Sequence, residues 1–305
     1  MIPVRSPAMA QLGFDSKVAI ITGAGGGLGR QHALLLASRG ALIVVNDLGG
    51  AVDGSGSDAG AAQLVVDEIK QAGGEAVADN NSVATADGGE AIVQTAIDAF
   101  GRVDIVINNA GILRDKTFHN MTPDLRDPVI DVHLNGAFNV TKPAWIRMRE
   151  QRYGRVVSTS SAAGVFGNFG QTNYGAAKMG LVGLTRVLAV EGARYGINAN
   201  AIAPLARTRM TEDILGGLGD KLAPELISPL VTYLAHESCA ATGRLFSIGG
   251  GRVAEVFLGE TNGYFDAALT PEGVADNWAT VTDREGYSVP ANLAEETALF
   301  LPFLS

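Results

Sequence analysis

A single cysteine, Cys239, stands in the 305-residue chain, which excludes an internal disulfide and fits a reducing compartment. Charge is also scarce. Asp, Glu, Lys and Arg make up 18%, the net charge is −9, and no cluster of five or more Lys/Arg occurs. Nucleic acid is therefore excluded as a partner, because phosphate binding needs a basic stripe. No run of 18 apolar residues lacks a charge, so a membrane span is not expected. The first 16 residues carry Pro3 and Arg5 without an apolar core, so no signal peptide is expected. The end, Pro302-Phe303-Leu304-Ser305, is no organelle address, and a cytoplasmic location is the expectation. His32, His119, His133 and His236 show no metal-ligand spacing with carboxylates or Cys239, so no metal is expected. Cys239 reads as a structural residue at a helix end. Neither Gly-x-Ser-x-Gly nor a Walker A pattern occurs, which leaves hydrolase and P-loop chemistry without support.

Apolar residues, at 47%, and glycine are plentiful. The 39 glycines, about 13% against a usual 7% or so, follow no three-residue period and suit the turns of an α/β fold. Lys17–Thr22, Ala41–Asp47, Val103–Asn108, Arg155–Ser160 and Ile197–Ala203 read as strands, with Glu75–Ala78 and Arg244–Ile248 as weaker ones. Helical periodicity falls near 28–39, 58–72, 86–100, 124–150, 174–195 and 222–236. This alternation predicts a doubly wound parallel sheet over residues 1–250, covered on both faces. Residues 251–305 form a short helical extension. Thr270-Pro271-Glu272 opens a helix carrying Val274, Trp278 and Val281 on one face, and Asn292 with Glu295 suggests a second capping box before an apolar end. So short a segment cannot bury that face alone, and is expected to dock on the main domain or a partner subunit. Gly49–Ser57 is the most flexible-looking loop by composition.

The first strand runs directly into Thr22-Gly23-Ala24-Gly25-Gly26-Gly27-Leu28-Gly29 and then a helix. Glycines there let the backbone turn sharply and approach a pyrophosphate. The helix N-terminus adds free N–H groups and a positive dipole end. With Asp47 closing the second strand, the pattern points to dinucleotide binding. Asp47 would accept from the adenosine ribose hydroxyls and repel a 2′-phosphate, which favours NAD. Arg30 reads equally as an anchor for a 2′-phosphate or as a solvated helix residue.

Tyr174 and Lys178 are one helical turn apart and so adjacent on one face, while Ser161 ends a strand leading to the same cleft. Tyrosine is a poor base near its ordinary pKa of about 10. A neighbouring ammonium and a positive nicotinamide ring would lower that pKa, so that Tyr174 exchanges a proton with an alcohol or carbonyl. Ser161 would donate to the developing oxyanion. Singly, Ser158 to Ser161 could be a polar strand end and Tyr174 an amphipathic helix residue. Jointly with the glycine turn they read as a catalytic set.

The Thr22-Gly-x-x-x-Gly-x-Gly turn, Asn108-Asn109-Ala110-Gly111 and Tyr174-Gly-Ala-Ala-Lys178 together resemble the short-chain dehydrogenase/reductase family over residues 17–250. The resemblance implies cofactor contacts from Gly23, Gly27, Leu28 and Gly29 in the turn and from Asp47. It implies others from Asn81, Ser82, Val83, Asn109, Ala110, Gly111 and Pro204, with Tyr174 and Lys178 at the nicotinamide ribose. Three departures stand out. His133, in Val132-His133-Leu134-Asn135-Gly136, occupies the place of the family's fourth catalytic residue, an Asn. It could hold the same water and backbone contact, relay protons, or only pack. Leu205 follows Pro204 in place of a common Gly. Asn81 stands where many relatives have an Asp; either side chain accepts the same hydrogen bond.

Longer strings narrow the resemblance: Gly23–Arg30, Val44–Gly50, Asn108–Asp115, Gly167–Tyr174 and Ala235–Cys239 are similar to the hydroxyacyl-CoA dehydrogenase part of the peroxisomal type 2 multifunctional enzymes. That implies NAD-dependent oxidation of (3R)-hydroxyacyl-CoA, with an acyl or steroid-bearing chain, by a homodimer or homotetramer. It also implies a stand-alone version without the hydratase and sterol-carrier parts. A dehydrogenase of free steroids or small alcohols is the alternative, and a non-catalytic dinucleotide-binding protein a remote one.

Overall fold

The computed structural model describes residues 11–58, 60–207 and 221–303; the expectations about a leader and about Leu304 and Ser305 lie outside them. β1 (Val18–Thr22), β2 (Leu42–Asn46), β3 (Glu75–Asp79), β4 (Ile105–Asn108), β5 (Gly154–Thr159), β6 (Ile197–Leu205) and β7 (Leu245–Gly249) pair in parallel. With β8 (Arg252–Val256) the sheet order is β3-β2-β1-β4-β5-β6-β7-β8. The expected doubly wound sheet is what the chain forms.

The strand sequences explain it. All of β1, β4 and β5 is buried, because helices cover both faces. Ala19 and Ile21 enter the core cluster that holds Leu36 of α1 (Gly27–Ala37) and Val65 of α2 (Gly60–Gln71). Val18 and Ile20 enter the cluster that holds Ile92 of α3 (Ala86–Phe100). Alternate residues of one strand thus serve two cores. Each fully buried Ile contributes about 1.5–3 kcal/mol, against the entropy of ordering it. Successive chain crossings run outward on either side of β1 and β4, so a crevice opens at the carboxyl ends of those two strands.

Three local features differ from the sequence reading. The expected helix 124–150 is interrupted. α4 (Pro123–Ile130) passes through a π turn, Asp131–Asn135, into α5 (Gly136–Gln151), and Gly136 N donates to Asp131 O five residues back. An apolar period near 3.6 cannot register one wider turn. α6 (Ala162–Phe166) is too short to show a period, and β8 has no buried residue to reveal it. Gly49–Ser57 is held from outside: Leu113 N donates to Val52 O (2.9 Å) and Arg114 Nε to Asp53 O (2.8 Å).

The chain divides into two compact units after Ala254. Within the second, Thr270 caps Pro271–Asp276 by accepting from Gly273 N (3.0 Å), and Pro271 stands at its start. The helix breaks at Asn277 and restarts as Trp278–Val281, so Val274 and Trp278 lie on separate helices. At Leu293–Ala298 the capping box forms: Asn292 Oδ1 accepts from Glu295 N, and Glu295 Oε2 accepts from Ala291 N. Phe265 stacks on Phe303 and Phe257 on Tyr287. None of this unit's described residues is buried, and Trp278 is 58% exposed. Among the described residues, no helix is long and apolar enough to cross a membrane.

Candidate active site

The glycine turn leaves β1 with positive φ at Gly23 (+64°) and Gly27 (+51°). At Gly29 a Cβ would stand 2.3 Å from Gly23 O and 2.8 Å from Ala24 Cα, so the turn closes only around a bare backbone. At Gly27 a Cβ would meet nothing within 4 Å. The space over the first turn of α1 is open, and no side chain caps that helix. An uncapped N-terminus facing open space suits a pyrophosphate. Leu28 packs inward against the core.

The neighbouring strand ends brace this turn. Thr22 Oγ1 accepts from Asn109 N (3.0 Å) and Ala110 N (3.1 Å), while Asn109 Nδ2 donates to Thr22 O and Gly23 O, both at 3.0 Å. The Asn109 side chain therefore clamps the glycine turn; this is a structural role the sequence did not single out. Asp47 is pinned through both oxygens: Gly25 N donates to Oδ2 and Gly49 N to Oδ1, each at 2.7 Å. Arg30, left open between two readings, is occupied. Its Nη2 lies 2.6 Å and its Nε 3.0 Å from the two Glu68 oxygens on α2.

Beyond β3, Asn81 donates from Nδ2 to Asp79 Oδ2 (2.8 Å) and from its backbone N to Asp79 Oδ1 (3.0 Å). Its amide is thus turned toward a buried carboxylate as a donor, a contact an Asp there could not make. Ser82 Oγ accepts from Ala84 N, and Val83 is buried beside Gly136. Pro204 lies near the end of β6, opposite Ile248, with Leu205 half exposed after it.

Ser161, Tyr174 and Lys178 come together. Ser161 follows β5 and caps α6, accepting from Ala163 N (3.2 Å). Tyr174 and Lys178 share a face of α7 (Thr172–Gly192), with Lys178 Nζ 5.4 Å from the Tyr174 ring centre. Burial pushes the Tyr174 phenol above its ordinary range, a hydrogen bond with Ser161 pulls it down, and the Asp115 carboxylate adds to the rise. Lys178 is itself 3% exposed, burial brings its ammonium down from 10.5 to about 7, and Nζ donates to Thr159 O (2.6 Å). Desolvation is the leading influence on both groups.

His133 is brought in by the π turn. Its ring meets that of Tyr174 edge to face, centres 5.2 Å apart, and Nε2 lies 3.1 Å from Ile112 N and 2.8 Å from Ile112 O. Gly111 passes so close that a Cβ there would sit 2.3 Å from His133 Cε1. Burial, with the nearby Lys178 charge, holds the His133 pKa well below 6.5. The ring is neutral, so it orients its neighbours and is not charged to act as an acid.

Further polar supports went unassigned from sequence, two of them, Gln171 and Asn173, within the Gly167–Tyr174 string. Asn173 Nδ2 donates to Arg114 O and Leu125 O, both at 2.9 Å, anchoring the start of α7. Gln171 Nε2 donates to Asp115 Oδ2 (2.7 Å), and Ser160 Oγ to Lys178 O (2.7 Å). Among the described residues no group of three or more His, Cys, Asp or Glu is arranged for a metal ion.

A doubly wound sheet with a glycine turn after β1 and a Ser–Tyr–Lys set at the same crevice defines a nicotinamide-dependent oxidoreductase. The chain belongs to the short chain dehydrogenase family, whose model matches residues 17–216. It is 53% identical over 279 residues to a short-chain type dehydrogenase/reductase of Mycobacterium tuberculosis, covering 91% of this chain and 98% of the other. A hydroxyacyl-CoA dehydrogenase of the same organism is 39% identical over 290 residues, 88% of this chain and 89% of its own. The solved full-length peroxisomal multifunctional enzyme type 2 from Drosophila melanogaster superposes with a TM-score of 0.81 at 40% identity. That match covers 96% of this chain and 50% of the other, so the chain spans about half that enzyme's length.

Proposed function

We propose that the protein oxidises (3R)-hydroxyacyl-CoA to 3-oxoacyl-CoA with NAD⁺. The observation that carries the reading is the meeting of Ser161 and Tyr174 with buried Lys178, in the crevice that the glycine turn opens. The open space above Gly27, the uncapped α1 and the pinned Asp47 carboxylate fit a dinucleotide whose adenosine ribose carries free hydroxyls. The acyl-CoA part is supported by the name of one relative above, a hydroxyacyl-CoA dehydrogenase. A homodimer or homotetramer, with residues 251–305 docked on the main domain or a partner, belongs to the same reading.

Ser161 Oγ holds the substrate oxygen, and Tyr174 Oη takes the hydroxyl proton in oxidation or returns it in reduction. A phenol kept protonated by burial suits the proton-giving direction as it stands. The chemistry that the nicotinamide supplies when bound is acceptance of a hydride from the carbinol carbon, with a ring charge that favours the phenolate. Lys178 holds the ribose side of the site and sits beneath the Tyr174 ring. His133, neutral and bonded to Ile112, keeps that ring in place.

Steady-state oxidation of a graded series of (3R)-hydroxyacyl-CoAs, their (3S) isomers and a free steroid, each with NAD⁺ and NADP⁺, tests the proposal. The expected result is turnover of the (3R) thioesters with NAD⁺. Preference for the free steroid, the (3S) series or NADP⁺ would overturn it.

A further inference from the structure

We infer that Glu68 is a specificity-determining residue for the cofactor, acting by holding Arg30 away from the adenosine ribose. This rests on the NAD reading above. Asp47 is the only group that reading uses to discriminate, yet a second residue of opposite tendency borders the same turn. Arg30 stands in the first turns of α1, its backbone N donates to Gly26 O (3.1 Å), and Gly25 next to it carries the bond to Asp47 Oδ2. A free guanidinium on that turn is the group that accommodates a 2′-phosphate, through two parallel N–H donors. Here both donors are spent on Glu68, at 2.6 and 3.0 Å, in a two-pronged pair.

The location of the pair adds to the argument. The cofactor end of α2 is its start, at Gly60, whereas Glu68 lies in its last turn. Arg30, in the first turns of α1, is thereby tied to the last turn of α2. The side chains of the two partners remain 35% and 43% exposed, so the pair is worth little to the fold. Its consequence is for selectivity: Asp47 repels the 2′-phosphate, and Glu68 removes the cation that would offset that repulsion.

The experiment is calorimetric titration of NAD⁺, NADP⁺ and adenosine 2′,5′-bisphosphate into the wild type, Glu68→Gln, Arg30→Ala and the double variant. Glu68→Gln keeps the shape and removes the charge. The expected result is about fivefold tighter binding of NADP⁺ and of the bisphosphate, roughly the gain of one partly exposed charge pair, with NAD⁺ affinity unchanged. Adding Arg30→Ala should abolish that gain. A gain that survives in the double variant would show mere loss of a negative charge and overturn the inference, as would no gain at all. If the wild type already binds NADP⁺ as tightly as NAD⁺, the NAD reading itself fails; the two failures are thus distinguishable.

Discussion

Replacing Lys178 with methionine should make the protein more stable at neutral pH while abolishing its activity. The ammonium is fully enclosed, and its pKa of about 7 against an ordinary 10.5 measures what that enclosure costs. At about 1.4 kcal/mol per tenfold, the charged form is held at a cost of roughly 5 kcal/mol. Removing the cation relieves this but strips Thr159 O of its 2.6 Å donor, a loss of about 1–3 kcal/mol. Methionine fills a similar volume, so little cavity term is added. The variant should gain about 3 kcal/mol below pH 7. Between pH 7 and 10.5 the unfolded wild type binds a proton that the folded protein does not, so wild-type stability rises with pH by about 1.4 kcal/mol per unit. The two stability curves should therefore converge and cross near pH 9. Urea unfolding of both proteins at pH 6, 7.5 and 9, at one protein concentration, makes the comparison. A variant less stable than wild type at pH 6, or a difference that does not change with pH, would refute the reasoning.

Tyr174→Phe should lower kcat by about 10²–10⁴-fold with cofactor affinity kept, because it removes the proton-transferring oxygen and little volume; retained turnover above a tenth of wild type would contradict this. His133→Asn should lower kcat without moving any limb of the pH–rate profile, since burial keeps the imidazole neutral; disappearance of a limb would show that His133 titrates during turnover. His32, buried with its pKa at about 3, should make the protein lose stability as pH falls below 6.5, where the unfolded chain takes up the proton. Melts of His32→Leu between pH 7 and 4 should show a flatter decline, and an unchanged slope would count against it. Gly29→Ala should abolish dinucleotide binding while the chain still folds, because its Cβ would meet Gly23 O at 2.3 Å; normal binding in titration calorimetry would show that the turn adapts.

The parallel sheet was legible from the chain itself, because β1 and β4 are apolar up to their last residue, β5 carries an apolar centre, and helical periods separate the strands. The glycine turn, Ser161, Tyr174 and Lys178 were legible for a related reason: chemistry restricts those positions to few residue types, and local spacing puts two of them on one helix face. What lay beyond local spacing was decided only in three dimensions. Asn109 as a clamp, the pinning of Asp47 by Gly25 and Gly49, and the capture of Arg30 by Glu68 join segments whose proximity no period records. His133 could be named as a departure, yet its neutral state and its contact with Ile112 depend on the π turn. The direction of the Tyr174 shift went the same way. Residue types alone set a cation beside a phenol, but burial, which only packing determines, is the leading influence on both groups.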